Sequence, residues 1–85
     1  MPQNKLPILK PREVIKAFEK LGFHVHRTKG SHTILIKEND PWHQPVIPLH
    51  KKDIPKGTLR SIIRQAGLTK EEFVKLLKNQ PFNKS

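Results

Sequence analysis

Cysteine is absent from the chain. Disulfides, thiolate zinc sites and thiol catalysis are therefore excluded together. Acidic residues are scarce: 7 Asp and Glu stand against 17 Lys and Arg. No paired-carboxylate arrangement is visible, so two-metal nuclease chemistry is not expected. No Walker motif and no GxSxG elbow occurs. No apolar run reaches the roughly 20 residues of a membrane-crossing helix, and neither end carries a lipidation signal. Pro2, Pro7 and Pro11 interrupt the first residues, where a secretory leader would need an apolar stretch. A cytoplasmic protein with no membrane contact is the expectation. No internal repeat or low-complexity run occurs.

What the chain has is positive charge. Its 85 residues carry a formal net charge of +10. That length supports one domain with one modest core. The hydrophobic fraction is 34%, low but gathered into clusters, so a fold is expected. A surface this positive suits a phosphate backbone better than another basic protein, and RNA is the expected partner class.

Periodicity places the elements. Residues 1–10 are polar and Pro-interrupted, and read as an extended arm. Pro11 suits a first helical turn. Val14, Ile15, Phe18 and Leu21 then recur at helical spacing up to a stop at Gly22. Arg12, Lys16 and Lys20 form a mostly basic face opposite that stripe. Residues 23–27 alternate as a half-buried strand, with Phe23 and Val25 on one side and His24 and His26 on the other. A tight turn over residues 28–31 leads to a β-branched strand at 32–37. A polar loop with Trp42 follows, then a third strand at 45–50. Pro48 cannot donate to a ladder, so this strand belongs at an edge. Asp53 is the expected cap and Pro55 the first-turn residue of a second helix. That helix carries Leu59, Ile62, Ile63 and Ala66 and stops at Gly67. Thr69 and Glu72 form a capping box for a short third helix, with Leu68 and Phe73 as a hydrophobic staple. Pro81 ends it.

The result is an α+β protein of α-β-β-β-α order, like a double-stranded-RNA-binding domain. A three-stranded antiparallel sheet has its helices on one face, plus the short C-terminal helix. One domain spans 11–80, followed by a tail at 81–85.

Two segments carry candidate chemistry. Lys29-Gly30-Ser31-His32 puts backbone amides, a cation and an imidazole next to one another, with Arg27 close by. Such a turn can hold a phosphodiester, and the imidazole can move a proton to or from an RNA hydroxyl. An ordinary strand histidine fits the same pattern. Along the second helix, Lys56, Arg60 and Arg64 recur every four residues, preceded by Lys51 and Lys52. Gly57 and Thr58 occupy the first turn, where the helix dipole favours an anion. His50 ends the third strand beside the two lysines and can meet RNA. His24, His26 and His32 make a three-His metal site conceivable. No acid lies close enough in sequence to complete it, so no metal and no cofactor is expected. Trp42 can stack on a base, contact a partner or cap the core edge.

The chain resembles the HicA-type toxins, small mRNA interferases of bacterial type II toxin–antitoxin pairs. The likeness runs from about Arg12 to Leu68. It rests on Leu21-Gly22-Phe23, Lys29-Gly30-Ser31-His32, Val46-Ile47-Pro48 with His50, and Lys56-Gly57-Thr58-Leu59 through Gln65-Ala66-Gly67-Leu68. Each piece is short, but their joint order and spacing are specific. The resemblance implies a double-stranded-RNA-binding-like fold, mRNA cleavage and neutralisation by a HicB-type antitoxin. The family's catalytic histidine falls on His32. The implied activity is a metal-independent endoribonuclease with a single catalytic histidine. A small basic RNA-binding domain without catalysis is the alternative. One histidine cannot easily serve both proton transfers, so slow turnover or a second group such as His50 is expected.

Overall fold

A computed structural model describes residues 6–50 and 52–78. Six elements follow one another: α1 (Pro11–Glu19), β1 (Phe23–Lys29), β2 (His32–Lys37), β3 (Val46–Pro48), α2 (Lys56–Gln65) and α3 (Lys70–Lys78). The sheet is antiparallel with the order β1-β2-β3. This is the α+β, double-stranded-RNA-binding-like layout expected from periodicity, and the Pro-containing strand is at an edge.

Local chemistry explains the helices. In α1, Pro11 occupies the first turn, and the Glu13 carboxylate accepts the Lys10 N–H at 2.9 Å. Pro11, Val14, Ala17 and Phe18 are its buried side. In α2 the buried side is Leu59, Ile62 and Ile63. The turn after α2 uses Gly67 at φ +78°, with the His43 ring packed where a Cβ would lie. α3 carries the expected capping box. Thr69 Oγ1 accepts the Glu72 N–H at 3.1 Å, and Glu72 Oε1 accepts the Thr69 N–H at 2.8 Å.

The buried side chains form one cluster. Phe18 stands at its centre, with ring centroids 5.4 Å from Phe23 and 5.6 Å from Phe73. Thr33, Leu35 and Ile47 come from the sheet face turned to the helices. Lys37 caps the far end of that face, its Nζ 4.9 Å from the Phe23 ring centroid.

Four local expectations change. The described part of the N-terminal arm is docked. Leu6 and Leu9 are buried, Leu9 pairs with Ile54, and the Ile54 N–H donates to the Leu9 carbonyl at 2.8 Å. Apolar Leu6 and Leu9 find a core edge that prolines alone do not reveal. The third strand is only three residues, although the Pro45 carbonyl accepts the Leu35 N–H at 3.0 Å and the Leu49 N–H donates to Ser31 just beyond its two ends. Trp42 is 83% exposed and does not cap the core. The β1 register shifts between Val25 and Arg27, so His26 has no partner. Strict alternation ends there, and Val25 is left 48% exposed on this edge strand. The expected tail and Pro81 lie outside the described residues.

Phe73 is completely buried against Phe18. Phe73→Ala should cost about 3–5 kcal/mol of unfolding free energy, read from urea denaturation. That is a large part of what a domain of this size holds, and a loss under 1 kcal/mol would mean that α3 is not part of the cooperative unit.

Candidate active site

Only Gly30 and Ser31 separate β1 from β2, and Lys29 pairs with His32 across the turn. The expected turn over residues 28–31 is thus tightened, because Thr28 and Lys29 continue the ladder. Gly30 has φ +60°, and among the described residues no non-glycine residue has positive φ. A left-handed residue at only the first central position fits a type II′ turn, which favours glycine there. A Cβ at Gly30 would meet no atom within 4 Å. The glycine is needed for its backbone angle, not for space. Among the described residues, no backbone carbonyl takes the N–H groups of Gly30 or Ser31. Two amide donors are free for an anion.

Because β2 is central, His32 has a neighbour on each side, Lys29 in β1 and Pro48 in β3. Directly paired residues share a sheet face. His32, Lys29, Arg27 and His24 therefore share the face away from the helices, with Ile34 and Ile36 between them. Pro48 has no N–H to give. The next one, of Leu49, donates to the Ser31 carbonyl at 2.6 Å. This bond ties the turn after β3 to the turn before β2.

His50 sits in that second turn. Its ring centroid lies 5.7 Å from that of His32, edge to face at 65°. Both residues are exposed. Among the described residues, no carboxylate is hydrogen-bonded to either ring. The structure thus joins two histidines that are 18 positions apart in the chain. Sequence reasoning placed His50 on the RNA surface and named it as a candidate second proton-transfer group, but only the strand register reveals its contact with His32.

The remaining histidines are elsewhere. His43 pairs with Asp40 in the β2–β3 connection, Nδ1 to Oδ2 at 2.5 Å. The bulge at His26 breaks the pattern that would align it with His24. Among the described residues, no group of three His, Cys, Asp or Glu side chains is placed to hold a metal ion.

The expected RNA contacts fall into two groups. Arg27, Lys29, Gly30, Ser31 and His50 gather around His32. Lys56, Arg60 and Arg64 are exposed on α2, whose apolar side packs on the opposite sheet face. This stripe is in the helical layer and does not share the His32 face. Arg60 and Arg64 line a hollow of about 280 Å³ together with Lys70. Thr58 is half-buried in the first turn of α2. Asp53 does not cap that helix. Pro55 holds the cap position without a side-chain hydrogen bond, and the first turn has no acid. The pairing of Leu9 with Ile54 sets where the helix begins, two residues beyond Asp53. Lys52 is exposed in the connection, and Lys51 lies outside the described residues.

One further feature was missed in the sequence. A groove of about 740 Å³ runs between α1 and the segment after β3. Lys10, Arg12, Lys16 and Lys52 line it, against the carboxylates of Glu13 and Glu19. Ile15 and Leu49 supply apolar surface. Leu49, which lines it, is held to Ser31 and precedes His50 in the chain. The Arg12–Lys16 spacing was the signal available, and it showed only a basic helix face.

Gly30→Ala should destabilise the protein by about 1–2 kcal/mol, the cost of a left-handed backbone with a Cβ. Gly30→Asn should cost less, since asparagine tolerates that region better. Chemical denaturation of both variants checks the order. Equal stability of Gly30→Ala and the parent would contradict the turn assignment.

The match to known families covers the same ground. Residues 11–68 match the family described as HicA toxin of bacterial toxin-antitoxin. The match begins at the first residue of α1 and ends at Leu68, before α3. No curated protein is matched.

Proposed function

The chain belongs to the HicA family of bacterial toxin–antitoxin toxins, and from that premise we propose that it is a metal-independent endoribonuclease that cleaves mRNA, with His32 as the catalytic histidine. A HicB-type antitoxin protein would be its neutralising partner. The observation that carries the reading is the site at the β1–β2 turn. An exposed imidazole stands beside two unclaimed amide donors and the paired Lys29.

RNA supplies its own nucleophile, the 2′-hydroxyl. His32 either takes the proton from that hydroxyl or gives one to the departing 5′-oxygen. Attack on phosphorus adds negative charge to the non-bridging oxygens. The Gly30 and Ser31 N–H groups and Lys29 stabilise that charge. Arg27 and Lys29 lie on the β1 side of the imidazole, a cationic setting that suits a phosphate and repels a divalent metal ion. Lys52, Lys56, Arg60 and Arg64 hold more distant phosphates, with Thr58 at the start of α2. Lys51 belongs to this same proposed set.

Two outcomes test the proposal. His32→Ala should lose cleavage of a mixed mRNA substrate by at least about 10²-fold, while keeping its fold and binding RNA within a few-fold. Cleavage by the parent protein should persist in excess EDTA. Full activity of His32→Ala would remove the histidine assignment, and loss of cleavage in chelator would remove the metal-free one. RNA that binds but survives long incubation with the parent protein would instead establish a non-catalytic RNA-binding domain.

A further inference from the structure

We infer that His50 is a second catalytic residue, and that it and His32 divide the two proton transfers of RNA cleavage between them. This rests on reading the chain as a ribonuclease. Three observations carry it. The rings touch edge to face, with centroids 5.7 Å apart. Both residues are exposed, so the contact serves no buried core. The contact is also set by the backbone. His32 pairs with Pro48, and the Leu49 N–H holds the Ser31 carbonyl at 2.6 Å. The Leu49–Ser31 bond continues the β2–β3 register one residue past Pro48, so the next residue, His50, lies over the first turn.

The chemistry needs two such groups. One neutral imidazole accepts the proton of the 2′-hydroxyl as the O2′–P bond forms. The other, as imidazolium, donates its proton to O5′ as the P–O5′ bond breaks. The products are a 2′,3′-cyclic phosphate and a 5′-hydroxyl. The first histidine ends protonated and the second neutral, and exchange with water restores both. No metal or further reactant enters. Two imidazoles side by side next to the Gly30–Ser31 amides put a proton acceptor and a proton donor within reach of one phosphodiester. A histidine that merely grips phosphate does not need to touch His32.

A substrate with sulfur in place of O5′ separates these roles, because a thiolate leaves without a proton. The experiment uses an oligoribonucleotide that the parent cleaves at one mapped linkage, made with oxygen or with 5′-bridging sulfur at that linkage. His32→Ala and His50→Ala are compared on both, with His50→Gln as a second variant. Each alanine variant should cleave the oxygen linkage at least about 10²-fold more slowly than the parent. One of the two should recover to within several-fold of the parent on the sulfur linkage, and the other should stay slow. Affinity for a strand with a 2′-deoxy residue at the cleaved position should change by no more than a few-fold in His50→Ala.

Full activity of both His50 variants on the oxygen linkage would overturn the inference, and so would a loss that appears only in affinity. Recovery of neither alanine variant, or of both, would overturn it as well. A parent protein that cleaves no RNA would overturn the ribonuclease reading itself. An active parent with an unaffected His50→Ala would overturn only the second catalytic residue.

Discussion

The row Lys29–His32–Pro48, paired across all three strands at one end of the sheet, is the constraint on which the site depends. It places a cation on one side of the imidazole and a proline on the other. The same register carries one bond further, from the Leu49 N–H to the Ser31 carbonyl. That single bond brings His50 to His32. The polar site is therefore held by main-chain geometry, which a solvent-exposed surface can keep without burying any charge.

The two faces of the sheet divide the work. Phe18, Phe23, Phe73, Leu35, Ile47 and their neighbours pack on the helix side into one cluster. Strong positive charge has no place there, and Lys37 reaches that face only where its ammonium meets the Phe23 ring. The cations accordingly occupy the other sheet face, the outer side of the helices and the groove along α1.

Much of this was legible in the residues. The Thr69–Glu72 capping box needs only local chemistry, and both of its hydrogen bonds are present. The apolar stripes of α1 and α2 and the edge position of Pro48 are equally local. What was not legible involved distant partners. Asp53 looks like a cap until the Leu9–Ile54 pairing places the helix start at Pro55. His24 and His26 look like a same-face pair until the register shift leaves His26 unpartnered. Trp42 looks as suited to the core edge as to solvent, and no local pattern decides for solvent.

The Lys29-Gly30-Ser31-His32 turn shows where the boundary runs. By itself the sequence determined the turn, its positive charge and an imidazole at the head of a strand, because glycine, strand propensity and charge act over a few residues. Family membership follows from the order of such short pieces. Only the tertiary structure decided that His50 stands against His32 and that a groove forms between α1 and the segment after β3. Strand register and the chain reversal after Pro48 set those contacts, and both depend on the packing of segments that are far apart in the sequence.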